Sequence, residues 1–491
     1  MSALDTAAGR PHAIPMSELA PPLGIPPADW DATPPSVRAV VLALLDQVQT
    51  LHGRVADLEQ QLKRHSGNSS RPPSSDPPDA PPRPARPTGR KRGAQPGHPG
   101  HHRDLLPPGQ VDELVIHRPT TCPHCQATLP HDLPTGDVRR QQVWDIPPLQ
   151  AHVTEHQFPT VICPHCQIAV RADCPPEVPP GSFGPQVVAL VALLHGRFRI
   201  STREIALLLE ALWHLPVSGG SVRALYQTAS CALAPVYTEV QQAVQGQAVA
   251  NVDETPWREQ RRARYLWVAV TVVATLFQVA RRSRAAFEAL LGAPFGGIVG
   301  SDRYNAYAHL PPTQRQLCWA HLKRDVQYYR ERAGPVGEWG ALLLAQIDAL
   351  FTTWHRFRSG ELDRGGLQQA MAPLQAEVQR LVDTGRDELP WEQARGFCRD
   401  LRGSWPALWT FVAVAGVEPT NNAAERALRP AVLWRKGCYG TDSMDGSRFV
   451  ERILTVATTC QQQQRPVLPF LADAVRAHWA GTPAPLLIPT P

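Results

Sequence analysis

Between residues 247 and 301 the chain places three Val-rich runs, a short helical stretch and a fourth Val-rich run in close succession. Residues 248–253, 265–272 and 275–280 have strand composition and are separated by short polar or tight joints, as in an antiparallel meander. Residues 283–291 read as a helix capped by Ser283, and residues 297–301 as a fully buried strand. A fifth strand is predicted over 314–318, followed by a helix over 319–332. Three strands in a row, then strands alternating with helices, leave few topologies open. The first and fourth strands become neighbours, and each ends on an acid. In Val249-Ala-Asn-Val-Asp-Glu-Thr-Pro-Trp257 the strand is expected to finish at Asp253, with Pro256 stopping it. In Gly296-Gly-Ile-Val-Gly-Ser-Asp302 it finishes at Asp302.

This element order is that of a ribonuclease-H-like domain. A third acid, Glu425, lies in the helical stretch Asn421-Asn-Ala-Ala-Glu-Arg-Ala-Leu-Arg429, which Asn421 is expected to cap. Two strand-end aspartates and a helical glutamate suit phosphoryl chemistry with two Mg²⁺. Hard carboxylate oxygens hold that ion and leave positions open for water and phosphate. Two ions roughly 3.5–4 Å apart stabilise the attacking and the leaving oxygen together. Each acid also has an ordinary reading: Asp253 as a turn residue before Pro256, Asp302 as a helix cap, Glu425 as the partner of Arg429 one turn on. Their joint occurrence in one strand-strand-helix order favours the metal site.

The length of 491 residues implies several domains, and 51 prolines are about twice the usual share, so extended linkers are expected. Residues 1–36, rich in Pro and Ala, are expected to be disordered. Over 37–64 a heptad places Val41, Val48, Val55 and Leu62 at a, and Leu44, Leu51 and Leu58 at d. Branched residues at a with Leu at d favour a parallel two-stranded coil, and hence a homo-oligomer. Residues 65–108 form a Pro-rich basic linker. Between 83 and 103 it holds five Arg, one Lys, three His and no acid. Arg90, Lys91 and Arg92 are candidate phosphate contacts.

Residues 109–180 contain Cys122-Pro-His-Cys125 and Cys163-Pro-His-Cys166. Two C-x-x-C pairs supply four thiolates to one tetrahedral, structural Zn²⁺. Residues 143–146 and 153–158 between them alternate enough for hairpin arms. Residues 184–245 read as helices, with Ser201-Thr-Arg-Glu204 as a capping box and Ser218 or Ser221 as the next cap. Helix, turn and a helix with Arg223 near its start suit major-groove reading; a helical core with no DNA role fits the same pattern. Residues 246–335 are the first part of the catalytic core, 336–415 an α-helical insertion, and 416–480 the last catalytic helix and C-terminal region. The fold class is therefore a multidomain mix of α+β and α/β. No secretory signal is visible, and the longest apolar run, 266–280, is short for a membrane span. The ten cysteines fit metal binding in a reducing cytoplasm better than a secreted disulfide framework.

Over residues 37–475 the chain resembles the bacterial IS66-family transposases, of the DDE class. The resemblance rests on the zipper, His65-Ser-Gly-Asn-Ser-Ser-Arg-Pro-Pro-Ser-Ser-Asp76, Gly93-Ala-Gln-Pro-Gly-His-Pro-Gly-His101 and the two C-P-H-C pairs. It rests also on Val252-Asp-Glu-Thr-Pro256, Ser301-Asp-Arg-Tyr-Asn-Ala-Tyr307, Cys318-Trp-Ala-His321 and Asn421-Asn-Ala-Ala-Glu-Arg-Ala-Leu-Arg-Pro430. It implies Asp253, Asp302 and Glu425 as catalytic acids holding two Mg²⁺, with Mn²⁺ as a substitute. It brings in Cys318 and His321 as a C-x-x-H element of unassigned role. The implied activity is cutting and joining of DNA at the inverted ends of an insertion sequence. The implied partners are those ends, target DNA and small companion proteins of the element, in the bacterial nucleoid. Arg426 and Arg429, beside Glu425, join Arg223 as candidate DNA contacts. The alternatives are a structure-specific nuclease with the same core, or a catalytically inactive DNA-binding protein. The segment Arg435-Lys-Gly-Cys-Tyr-Gly-Thr441 departs from the aromatic-rich version of the family.

Overall fold

A computed structural model describes residues 26–62, 104–133, 136–175 and 178–488, and the chain falls into two compact units. The first unit comprises residues 1–85 with 324–341. Within it α1 (Pro27–Ala32) and α2 (Pro35–Leu62) are helical. Order thus begins before residue 37, against the expectation of disorder through 36. Pro27 at the first helical position and Asp29 in the first turn suit a helix start, and Trp30 is buried. Along α2 the heptad residues Leu44, Val48, Leu51, Val55 and Leu58 are exposed. Arg90, Lys91 and Arg92 lie outside the described residues.

The second unit holds residues 86–323 and 342–491. Near its start, β1 (Thr160–Ile162) and β2 (Ala169–Arg171) pair antiparallel around Cys163–Cys166. The hairpin arms expected at 143–146 and 153–158 are not strands. Pro147 and Pro148 lack N–H donors, and Val143, Trp144, Ile146 and Val153 are all exposed, so this stretch has no buried face to reward pairing.

Four helices follow: α3 (Pro185–Gly196), α4 (Thr202–Trp213), α5 (Gly219–Ala232) and α6 (Ala234–Gln245). The capping box of α4 is present, with Glu204 N donating to Ser201 Oγ at 3.2 Å and Ser201 N donating to Glu204 Oε2 at 3.4 Å. Ser218 caps α5, accepting from Ser221 N at 3.0 Å. The buried faces of these helices join a single hydrophobic core with the sheet that comes next.

That sheet contains β3 (Val249–Glu259), β4 (Arg262–Val270), β5 (Thr275–Ala280), β6 (Ile298–Ser301) and β7 (Arg315–Leu317), in the order β5-β4-β3-β6-β7. The first three are antiparallel, and α7 (Arg284–Leu291) leads to β6, which pairs parallel to β3. Residue Asn251 stands opposite Gly300. A Cβ at Gly300 would come within 2.4 Å of the Asn251 side-chain oxygen, so glycine leaves room for that side chain between the strands. One correction concerns Pro256. The strand does not stop there but runs on to Glu259, paired with β4. By that point β6 has ended, so one edge of β3 is no longer in a ladder and a residue without N–H is tolerated.

From β7 the chain enters α8 (Trp319–Arg330), then α9 (Pro335–Arg358), α10 (Arg364–Glu388), α11 (Glu392–Gly403) and α12 (Trp405–Ala413), the helical insertion expected over 336–415. Last come α13 (Asn422–Cys438), α14 (Met444–Gln462) and α15 (Val467–Ala480). Both edges of the sheet are covered. On β5, the backbone N–H groups of Val279, Phe277 and Thr275 donate to Glu451, Thr455 and Thr459 at 2.7, 2.9 and 3.1 Å. Those acceptors recur every four residues along α14, so one helix face matches alternate residues of one strand. On β7, Thr410 Oγ1 donates to Arg315 O at 2.6 Å and Phe411 N to Gln316 Oε1 at 2.8 Å. A buried peptide group left without a partner costs about 1–3 kcal/mol, so these contacts anchor α12 and α14 on the sheet. Among the described residues no helix is long and apolar enough to cross a membrane.

Candidate active site

The strand register brings the first two acids together. Two residues beyond the Asn251–Gly300 pair the two acids stand at the same level: Asp302 follows the end of β6, whereas Asp253 lies within β3, which pairs on to Glu259 instead of finishing at Asp253 as expected. The Asp302 side chain accepts from Tyr304 N at 2.9 Å, turning the chain outward. Behind it, the buried Arg315 guanidinium donates to the Asp302 carbonyl at 3.3 Å.

Glu425 arrives through the insertion. After α12 is fixed on β7, Trp319 N donates to Pro419 O at 2.9 Å. Asn421 follows, buried, with its Nδ2 donating to Val252 O at 2.8 Å and its backbone N to Cys318 Sγ at 3.2 Å. Asn421 occupies the cap position of α13 but makes no side-chain cap bond. Its amide is spent instead on the residue before Asp253. That contact places the first turn of α13, and with it Glu425, over the strand ends.

The electrostatics agree with this geometry. Burial, then the neighbouring Glu254, push the Asp253 carboxyl up to about 8, with Asp302 and Glu425 adding to the rise. Asp302 and Glu425 thus lie close enough to Asp253 to act on its charge. Glu254 has a different job. Arg282 holds it at 2.6 Å, Tyr307 donates a short hydroxyl hydrogen bond to it, and its side chain is almost wholly buried. Arg282 also lies over the Tyr304 ring, 3.4 Å from its centroid. Glu254 is thus held by Arg282 and Tyr307 while its charge still acts on Asp253.

The C-x-x-H element lies beside Glu425. His321 Nδ1 lies 3.5 Å from Glu425 Oε1, where an ion pair with Arg429 was the ordinary expectation. Nothing in the strand pattern marks this proximity, although the spacing already puts Cys318 and His321 on one turn. Arg426 and Arg429 are exposed on α13, and Arg223 is exposed near the start of α5.

Each C-P-H-C pair forms its own knuckle. Cys122 N donates to Ala127 O and Gln126 N to Cys122 O, both at 2.9 Å, and Cys163 repeats the pattern with Ile168 and Gln167. The Cys122 thiol is held below its ordinary value, first by the N–H of Cys125 and then by that of His124. Cys163 is lowered in the same way by Cys166 and His165. Donors aimed at sulfur favour the thiolate, which is the form that binds metal. The structure does not gather the four sulfurs into one cluster. Among the described residues the one group of three or more donors drawn together is Cys318, His321 and Glu425.

Comparison with known proteins identifies the family of the chain. Residues 180–448, more than half of the chain and spanning all three acids, match the transposase IS66 family. Residues 119–167, spanning both knuckles, match the zinc-finger binding domain of transposase IS66, and residues 25–104 a family of unknown function, DUF6444. Two similar proteins of Sinorhizobium fredii are both named uncharacterized. Protein y4qI is 25% identical over 233 residues, 43% of this chain and 41% of its own length. Protein y4hP is 25% identical over 411 residues, 74% of this chain and 71% of its own. The chain thus spans about two fifths of the first relative's length and about seven tenths of the second's. With its core and its zinc domain matched in the order they occupy here, the chain belongs to the IS66 transposase family.

Proposed function

We propose that Asp253, Asp302 and Glu425 form the metal-binding centre of a DDE transposase that cuts and joins DNA at the ends of an insertion sequence. The observation that carries this reading is the register that sets Asp253 and Asp302 at one level of two parallel strands, with the Asn421 amide tying the start of α13, and so Glu425, to the residue before Asp253. An all-oxygen donor set fits Mg²⁺, or Mn²⁺ in its place. When bound, two such ions stabilise charge on the attacking and leaving oxygens. The sheet order supports a ribonuclease-H-like core. Asp253 and Asp302 present oxygens from adjacent strands, and Asn421 sets the height of Glu425 above them. Arg426 and Arg429 extend the same face towards phosphate. Water then attacks the phosphodiester at the element end as the 3′-oxygen leaves with a proton. The freed 3′-hydroxyl attacks target DNA by in-line transesterification, and the protein contributes positioning and charge stabilisation. The test is a duplex carrying the element's own ends, incubated with protein and Mg²⁺. Cleavage at the ends followed by joining supports the reading. Cutting without joining would make the protein a nuclease, and binding alone an inactive DNA-binding protein.

The zinc domain is proposed to hold one Zn²⁺ through Cys122, Cys125, Cys163 and Cys166. Cys163→Ser is expected to lose one equivalent of zinc per chain and to increase proteolysis within residues 110–175. Full zinc retention in that variant would refute the pairing. The exposed seam of α2 supports self-association. Replacing Leu51 and Leu58 by Glu is expected to lower the oligomer mass by light scattering, and an unchanged mass would remove the zipper from the account.

A further inference from the structure

We infer that Cys318, His321 and Glu425 form a second transition-metal site, of the zinc class, which shares Glu425 with the oxygen-only centre. Three donor types, a sulfur, an imidazole nitrogen and a carboxylate oxygen, lie within 4.8 Å of one another. A tetrahedral ion with bonds of about 2.0–2.3 Å sets its donors roughly 3.3–3.8 Å apart, and the partly exposed Glu425 carboxylate has room to close that difference. Mg²⁺ does not take thiolate, whereas Zn²⁺ takes this mixture and keeps a fourth position open.

The turn itself repeats the geometry of the two knuckles. Cys122 receives N–H donors from His124 and Cys125, and Cys163 from His165 and Cys166. Cys318 receives them from Ala320 and His321, again the second and third residues onward, although burial, with the Glu425 charge adding to it, holds its thiol above the ordinary value where theirs are lowered. A third donor reaches Cys318 from Asn421 N at 3.2 Å, so its sulfur faces the starts of both α8 and α13. The neighbouring Asn421 Oδ1 is buried without a hydrogen-bond partner at this junction. As the ion binds, the Cys318 thiol gives its proton to water and the metal–sulfur bond forms. The ion ties the first turns of α8 and α13 together and engages Glu425 through Oε1, the oxygen that faces His321. Its second oxygen remains for the centre with Asp253 and Asp302. Only this last consequence rests on the proposed DDE function.

The experiment is zinc analysis of the full chain after dialysis against a weak chelator, with a thermal melt on each protein. Wild type is expected to hold two zinc per chain, and Cys318→Ser and His321→Gln one each. Serine still accepts the three N–H donors, so a cap alone would survive that change with no loss of metal. Should Cys318→Ser fail to fold, His321→Gln decides the matter. One zinc per chain in wild type, or two retained in His321→Gln, would overturn the inference. Asp302→Asn is expected to keep both zinc ions while losing cleavage. Two zinc ions in a wild type that never cuts DNA would therefore defeat the DDE reading and leave this site standing.

Discussion

Asp253→Asn and Asp302→Asn are each expected to reduce strand cleavage by about 10³–10⁵-fold while leaving DNA binding intact or tighter. Both replacements keep the shape of the side chain and remove its charge. The backbone supports this separation of binding from chemistry. The register that aligns the two residues is set by Val249, Ala250 and Asn251 against Ile298, Val299 and Gly300, none of which changes. The remaining contact of Asp302, acceptance from Tyr304 N, is one an asparagine oxygen also makes. Mn²⁺ should support the wild-type reaction, and Ca²⁺ should support binding without turnover, because it tolerates looser coordination. Cleavage within tenfold of wild type by either variant, measured on end-containing duplex, would remove that residue from the centre.

The second large effect is on stability, and its sign is opposite to that of an ion-paired acid. The Asp253 carboxyl rises from 3.8 to about 8 in the fold, so the folded state prefers the protonated form. Its stabilising contribution is complete below about pH 4 and is lost as pH climbs through 8. In chelator, wild type is therefore expected to lose stability between these limits, and Asp253→Asn to escape most of the loss. At about 1.4 kcal/mol per pH unit the difference near pH 8 is on the order of 2–5 kcal/mol. Added Mg²⁺ should narrow the gap by compensating the charge. Thermal melts of both proteins at pH 5, 7 and 9, with and without Mg²⁺, measure this. An Asp253→Asn protein less stable than wild type at pH 9 in chelator would contradict the crowded-carboxylate picture.

Much of this was legible in the sequence because a buried sheet writes itself in Val-rich runs of strand length. The strand order and the level position of Asp253 and Asp302 came from that pattern, and the helical insertion from a separate stretch rich in Leu, Gln, Trp and Arg. What escaped it depends on partners distant in sequence. Pro256 reads as a stop only if the strand is taken to need both neighbours, and β6 has already ended beside it. Asn421 reads as a helix cap because its local sequence suits one, yet Val252 offers its amide a buried carbonyl. The alternation at 143–158 suggests a hairpin, but alternation without a buried face has nothing to pack on. Glu254 stands beside Asp253 and is as acidic, and only the fold reveals that Arg282 and Tyr307 already hold it. His321 meets Glu425 because α12 returns the chain to β7, a tertiary event without a local signature.

The claim that tests this account most sharply is that Glu425 is the third acid. Two other glutamates compete for the role, and each has a structural partner in the fold. Glu418 pairs with Arg358 at 3.0 Å, and Glu451 is buried against Val279 N at 2.7 Å with its carboxyl raised by that burial. A neutral glutamine therefore suits position 451, and position 418 lies in an exposed ion pair worth little. The measurement is strand cleavage and joining on end-containing duplex by Glu425→Gln, Glu418→Gln and Glu451→Gln side by side. The account predicts loss of both steps in Glu425→Gln and near-normal activity in the other two; wild-type cleavage by Glu425→Gln, with loss in either of the others, would contradict it.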